Sequence, residues 1–480
     1  MIRLRPPIPE GPYLIVGLAR SGVAAARVLR DRRERVIGVD AGAPAWAGEG
    51  LSSVGERLSS AGDPLSRASE APSRVDGAPF GVDELAALGV EVHLHADGVA
   101  QIDRARAVIK SPGVPAQAPV IAAARARGVP VLGELELAWR LLANEFIAVT
   151  GTNGKTTTVE WIGHIHREAG LPVAVAGNVG AALSGLVGGI DEHTVVVCET
   201  SSFQLEDTLA FAPEAAVLLN ITPDHLDRHG TIDAYREAKL QIFARQHERD
   251  VAVIPLALAQ MPFGGGAQRV RFGEDGEAEA ECALREGRLW WQGQPLLAVD
   301  ELRLRGAHNV QNAMAAAAVC LARGVDPDAV RTGLRSFAGV PHRLQEVARH
   351  EGVLYVNDSK ATNVASTLVA LRAFPDLGVH LILGGQGKGQ DFAALRDAVS
   401  AGCRAVYLIG EDAPEIAAAF ADAEVPLHEC GDLEGAFAAA SSAAVSGEIV
   451  LLSPACASFD QFSDYEARGE RFAALVSGIV

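Results

Sequence analysis

The run FIAVTGTNGKTT, residues 146–157, decides the fold of the middle of the chain. An apolar stretch leads into a glycine-rich turn, then a lysine and two threonines. That order reads as a buried strand, a loop and the first turn of a helix. In such a loop the backbone N–H groups and the helix N-terminus point at phosphate oxygens. Lys155 is expected to reach the terminal phosphates, and the Thr156 hydroxyl to ligate Mg2+. The common spacing GxxxxGK[ST] is not met, because Val149 stands where the first glycine belongs. The stretch reads as a variant nucleotide cradle made of Gly151, Thr152, Asn153, Gly154, Lys155, Thr156 and Thr157, the alternative being a plain glycine turn.

Upstream, YLIVG at 13–17, a glycine turn and an alanine-rich helix lead to a second strand ending at Asp40. This is a βαβ opening. Residues 41–80 change character, rich in Gly, Ser, Ala and Pro, and read as a long flexible insertion. Strands resume at 90–94, 107–109 and 129–132, and a helix is expected from Glu134 to Leu142. Beyond the cradle, TVVVCE at 194–199 and AVLLN at 216–220 are strands that end in polar residues. Near Pro341 a third alternation begins, with strands at 354–356, 379–383, 405–409 and 448–452. A length of 480 residues favours about three domains. All three read as α/β with mainly parallel sheets, whose ligands sit at the carboxyl ends of strands.

Among 42 basic residues only five are lysines: Lys110, Lys155, Lys239, Lys360 and Lys388. Arginine replaces lysine freely on a solvated face, but not where a compact ammonium or a nucleophilic amine is required. The five are therefore candidates for chemistry. A net charge of −18 argues against a nucleic-acid surface. A content of 49% hydrophobic and 21% charged residues is globular. Six scattered cysteines without a C-x-x-C pair fit a reduced cytosol better than a disulfide scaffold or a zinc site. No run of about 18 apolar residues occurs, and LIVGL near the N-terminus is broken at Arg20, so neither a membrane span nor a signal peptide is expected. The expectation is a soluble cytoplasmic protein. No apolar association helix stands out, so a monomer is expected too.

Several strand ends carry chemistry. Glu199 closes VVVCE, where a carboxylate either holds the Mg2+ of a nucleotide or caps the next helix. TPDHLDRH at 222–229 offers His225 as metal ligand or base, or else a helix start capped by Thr222 or Asp224. Asp358, Ser359 and Lys360 follow a strand and combine acid, hydroxyl and ammonium, which suits a polar substrate and a nucleoside. Lys388 lies between two glycines that let backbone approach a carboxylate or phosphate closely. GLARSG at 17–22, with Asp40 beyond, resembles a dinucleotide fingerprint in which Ala19 replaces the middle glycine. It points to a nucleotide or sugar nucleotide.

TGTNGKTT, GNVG, ETSSFQL, NITPDHLDRH, HNxxN, PHR, NDSKATN, GGQGK and SPACASFDQFxxYExRG occur in this order, from residue 11 onward. In this combination the chain resembles the Mur ligase family, and NDSKATN with SPACASFDQF favours its D-glutamate-adding member. The resemblance implies an α/β protein of three domains. These are a Rossmann-like uridine-nucleotide domain over 1–143, a P-loop-type central ATP domain over 144–340 and a Rossmann-like C-terminal domain over 341–480. It also implies an ATP-dependent amide ligase of peptidoglycan precursor synthesis. ATP would phosphorylate the carboxylate of UDP-N-acetylmuramoyl-L-alanine, and the D-glutamate amine would attack the acyl phosphate. By resemblance Lys155 and Thr156 would handle the phosphates and Glu199 and His225 the Mg2+ ions. Lys239 would become a carbamate supporting a second Mg2+. Asn309, Asn312, Arg343 and Asp358 match nucleoside-contacting positions. Asn178 matches a position near the substrate, and Lys360, Thr362, Lys388, Ser458, Phe459 and Tyr465 match those around D-glutamate. Ser21, Asp40, Ser111 and Gly113 match the uridine-nucleotide site, with Lys110 expected to aid the diphosphate.

Overall fold

The computed structural model describes residues 4–42, 82–178, 180–274, 280–374, 377–387 and 390–479. The insertion expected at 41–80 lies almost wholly outside the described residues, as does Lys388. The chain divides into two compact units, Met1–Phe337 and Ala338–Val480.

The first unit holds two sheets. β1 (Tyr13–Val16), β2 (Val36–Asp40), β3 (Glu91–Leu94), β4 (Ala107–Lys110) and β5 (Val131–Gly133) lie in the order β3-β2-β1-β4-β5. Every pairing is parallel. YLIV and AVIK make β1 and β4 buried throughout, as central parallel strands require. The strand order reverses between them, so the loops after Val16 and Lys110 open side by side at the carboxyl edge.

The second sheet has nine strands. They are β6 (Phe146–Thr150), β7 (Val173–Gly177), β8 (Val195–Glu199), β9 (Ala215–Leu218), β10 (Val251–Pro255), β11 (Gln268–Glu274), β12 (Cys282–Arg285), β13 (Arg288–Trp291) and β14 (Gln294–Ala298). Their order is β14-β13-β12-β11-β10-β9-β6-β8-β7. The sheet is parallel except for the antiparallel meander β12–β13–β14. Alternate residues of its central strands, Phe146 and Ala148, Val196 and Cys198, Ala216 and Leu218, share one face with Trp139 and Phe211. The two aromatic rings meet edge to face at 5.8 Å. Burying each large apolar side chain contributes roughly 1.5–3 kcal/mol.

The helix Glu134–Leu141 leads from the first sheet to the second. Its Glu136 is fully buried, and its carboxylate accepts the N–H groups of Leu209, Ala210 and Phe211 and the Arg140 guanidinium. A buried carboxylate is tolerable only with such a full set of donors.

The second unit is one six-stranded sheet of β15 (Gln345–His350), β16 (Val353–Asn357), β17 (Val379–Gly384), β18 (Cys403–Ile409), β19 (Leu427–Gly431) and β20 (Ile449–Leu452). The order is β15-β16-β20-β17-β18-β19, parallel except for β15. The two edge strands, QEVARH and LHECG, carry too little apolar alternation to be read from sequence. Among the described residues no helix is long and apolar enough to cross a membrane. All six cysteines are free thiols.

Candidate active site

Parallel register stacks the strand ends of the central sheet along one edge. Val149 of β6 lies opposite Glu199 of β8, and Thr150 opposite Leu218 of β9. Gly177 of β7 pairs with the same Glu199. The loops that follow therefore open together around residues 151–155. Gly154 precedes the helix Lys155–Glu168 with φ +84°, and a Cβ there would stand 2.3 Å from Asn312 Oδ1. Only glycine fits. That close approach puts the helix Ala307–Ala322 against the phosphate loop, and within the helix the buried Asn312 amide donates to Asn309 Oδ1 at 3.4 Å.

Asn220, two residues beyond β9, braces that loop. Its Oδ1 accepts the N–H groups of Thr152 at 3.1 Å and Asn153 at 2.9 Å, and its Nδ2 donates to the Asn153 carbonyl at 3.1 Å. Lys155 Nζ folds back onto the carbonyls of Gly151 at 2.9 Å and Thr152 at 2.8 Å. Lys239, from the helix Ile232–Leu240, donates to the same Gly151 carbonyl at 2.7 Å. It is only 2% exposed. Burial first, then the Lys155 ammonium, holds its amine down to about 7. Its nitrogen also stands 4.5 Å from the Tyr235 ring centroid. Two lysines converging on one carbonyl give a local cationic pocket in a chain of net charge −18. Thr157 follows, half-buried, in the first turn of the helix.

The Thr156 hydroxyl donates to Glu199 Oε2 at 2.8 Å, and Asn178 Nδ2 to Oε1 at 3.0 Å. Glu199 does not cap the next helix. Ser201 does, with Gln204 completing a capping box. Nor does Thr222 or Asp224 cap Leu226–His229, whose N-cap is His225 itself at φ +51°. The His225 ring is exposed, 3.5 Å from Asp224 Oδ2 and 4.9 Å from the Phe203 ring centroid. Among the described residues no three His, Cys, Asp or Glu side chains form a metal cluster. The buried pair of Thr156 hydroxyl and Glu199 carboxylate is a hard-oxygen donor set. It fits Mg2+, which takes one or two protein oxygens and completes its shell with water and phosphate.

In the first sheet, the Ser111 hydroxyl donates to the Gly17 carbonyl at 2.7 Å, joining the two loops at the point where strand order reverses. Asp40 is committed to backbone, accepting the N–H groups of Leu18 at 2.7 Å and Gly42 at 3.0 Å. Ser21 is half-buried in the first turn of the helix Arg20–Asp31, and Gly113 is exposed. The role expected for Lys110 is not met. Its side chain is 0% exposed and runs inward to Asp207 Oδ2 at 2.6 Å and the Val114 carbonyl at 2.8 Å.

In the second unit the carboxyl ends of β16, β20 and β17 are neighbours. Asp358, just past β16, accepts the Ser453 hydroxyl at 2.8 Å and the Leu344 N–H at 3.1 Å. Burial raises its carboxyl to about 6, while these bonds and the exposed Arg343 pull the other way. The Lys360 ammonium stands 5.5 Å from the Tyr465 ring centroid, and the Thr362 N–H donates to the Lys360 carbonyl. Ser458 is 2% exposed, with a hydroxyl that has no partner among the described residues, and Phe459 beside it is exposed. A buried hydroxyl without a protein partner has its bonding capacity left for water or a ligand.

Arg468 holds this unit's loops together. It is 1% exposed and donates to the Ser359 hydroxyl at 3.0 Å and to the carbonyls of Ser359 at 2.9 Å, Cys456 at 3.0 Å and Ala457 at 3.3 Å. Burial brings its guanidinium down to about 10. The loop with Lys360 and the loop with Ser458 are thereby fixed to each other.

The Mur ligase middle-domain model matches residues 149–320, and the Mur ligase glutamate ligase domain model residues 342–456. The UDP-N-acetylmuramoylalanine–D-glutamate ligase of Acidobacterium capsulatum is 39% identical over 96% of this chain and 95% of its own length. The protein of that name from Myxococcus xanthus is 40% identical over 97% and 98%. The chain belongs to the Mur ligase family. Among solved structures, the UDP-N-acetylmuramate–alanine ligase of Thermotoga maritima aligns over 98% of this chain and all of its own, with a TM-score of 0.53 at 18% identity. MurF of Acinetobacter baumannii aligns over 78% and 85%, at 0.51 and 19%. These two are likenesses of fold.

In this Mur ligase the residues that escape a motif reading are those acting through others. Asn220, Arg228 and Arg468 all stand inside the quoted motifs, but their contacts depend on register and burial. Asp358 yields a prediction from its raised carboxyl. Between 3.8, the value of an exposed aspartate, and about 6, the native Mur ligase binds more proton than the unfolded chain. Stability therefore falls as pH rises through that window. Asp358→Asn removes the effect, so its stability relative to the parent is expected to rise between about pH 4 and about pH 7. Urea unfolding at both values checks this, and an unfolding free energy of the variant minus that of the parent that is constant or larger at about pH 4 contradicts it.

Proposed function

We propose that this Mur ligase is an ATP-dependent ligase that adds D-glutamate to UDP-N-acetylmuramoyl-L-alanine in peptidoglycan precursor synthesis. The observation that carries the reading is the pair of lysines at Gly151 beside the Thr156–Glu199 oxygens, in a chain colinear with ligases of that name. A carboxylate is a poor electrophile and must first acquire a leaving group. In the proposed sequence a carboxylate oxygen of the alanyl group takes the γ-phosphoryl of ATP, and ADP departs. The D-glutamate nitrogen then attacks the acyl carbon, phosphate leaves with that oxygen, and the nitrogen loses a proton.

Lys155 and the N–H groups of 151–156 neutralise and orient phosphoryl oxygens, which is most of what phosphoryl transfer asks of a protein. Thr156 and Glu199, with His225, would hold Mg2+, which supplies charge neutralisation when bound. The Lys239 amine, lowered to about 7, has the neutral fraction that carbamate formation requires. A carbamate there would be an anion for a second ion. Asn309, Asn312, Arg343 and Asp358 serve ATP in this reading, and Ser21, Asp40, Ser111 and Gly113 the uridine nucleotide. Asn178 lies near the substrate, and Lys360, Thr362, Lys388, Ser458, Phe459 and Tyr465 serve D-glutamate. The matching domains are 1–143, 144–340 and 341–480, in a cytoplasmic monomer. Free thiols at all six cysteines accord with that compartment.

The test is ADP release with Mg-ATP, leaving out one substrate at a time. Release that needs both UDP-N-acetylmuramoyl-L-alanine and D-glutamate supports the reading, and release that ignores both sinks it. Lys239→Arg keeps the charge but cannot readily form a carbamate, and is expected to be nearly inactive. An active, bicarbonate-independent Lys239→Arg enzyme removes the carbamate.

A further inference from the structure

Lys110 plays no part in the reading above, yet it is one of only five lysines. It ends β4, and from there its nitrogen bridges the Asp207 carboxylate and the Val114 carbonyl. Val114 receives a second cation. Arg228, from the helix Leu226–His229, donates to the Val114 carbonyl at 3.1 Å, to the Gly113 carbonyl at 3.5 Å and to Glu206 Oε1 at 2.9 Å. Its guanidinium lies 4.0 Å over the Phe203 ring. The carboxylates that satisfy the two cations are thus consecutive residues, Glu206 and Asp207. Glu136 anchors the chain just after them by gripping the N–H groups of 209–211. The turn that both cations hold is SPGV, residues 111–114, whose Ser111 hydroxyl in turn secures the Gly17 loop. A Cβ on Gly113 would meet nothing within 4 Å, so this turn is open on its outer side.

We propose that Lys110, Asp207, Glu206 and Arg228 form a positioning relay that fixes the 111–114 turn for the diphosphate end of a uridine nucleotide and ties that turn to the one bearing His225. The proposal rests on the uridine-nucleotide reading of the first sheet. None of the four residues needs to touch substrate. Lysine suits position 110 because one nitrogen serves one carboxylate and one carbonyl. A planar guanidinium would bring five donors into a site with no exposure.

Removing Lys110 alone would strand the buried Asp207 carboxylate and risk the fold. The test therefore uses the full chain with Lys110→Met and Asp207→Leu together, which replaces the pair by apolar groups, and separately Arg228→Gln and Arg228→Lys. Both KM values, kcat and the melting shift given by UDP-N-acetylmuramoyl-L-alanine are measured for each. The expected result is a rise of about tenfold in KM for the UDP substrate, the scale of a lost charged hydrogen bond, with the D-glutamate KM changed less than about twofold. The substrate-induced melting shift shrinks, and Arg228→Lys recovers part of it. Variants that melt lower but keep the parent's KM for the UDP substrate make the relay a fold stabiliser only and overturn the proposal. A parent that is neither turned over nor stabilised by this UDP sugar defeats the functional reading itself, and the relay with it.

Discussion

Two lysine nitrogens share the carbonyl of Gly151, and much of the central site follows from that convergence. One comes from the helix that starts on the loop, the other from a helix more than eighty residues downstream, and a parallel sheet brings them together. β6 must lie between β8 and β9 for the loop to have Glu199 on one side and Asn220 on the other. Burial first, and then the Lys155 cation, raises the cost of protonating Lys239. The loop therefore combines a positive local field with one amine close to neutrality. An anion answers the first property, and a reaction at nitrogen can use the second.

Buried charge recurs across the chain with a different purpose at each place. At Glu136 and at Lys110 with Asp207, charges are fully enclosed and matched to backbone groups or to each other. Such arrangements set geometry more than stability, since breaking one partner is costly while replacing both is often neutral. Arg468 is similar, a guanidinium serving three carbonyls and a hydroxyl. Ser458 differs, being buried with a hydroxyl that has no protein partner among the described residues.

Much of the fold is legible in the sequence because its central strands are short apolar runs that end in polar residues. YLIV, FIAVT and VVVCE announce both their burial and the edge at which ligands gather. The edge strands at 345–350 and 427–431 do not, since a half-solvated strand needs no apolar run. Lysine scarcity draws attention to Lys155 and Lys239, but their convergence on the Gly151 carbonyl comes from the fold and no spacing reveals it. Scarcity says nothing of where Lys110 points, because whether a strand-end lysine turns outward or inward depends on Asp207, almost a hundred residues away. The contacts of Asp40 are hidden in the same way. Its carboxylate closes a backbone loop that no spacing rule reveals.

The central claim is that a carboxylate oxygen passes through an acyl phosphate before an amide forms. UDP-N-acetylmuramoyl-L-alanine labelled with oxygen-18 in the alanyl carboxylate tests it directly, by mass analysis of the phosphate released in turnover with ATP and D-glutamate. The account predicts a single labelled oxygen carried into the phosphate for each amide made. Unlabelled phosphate formed alongside labelled product would contradict it.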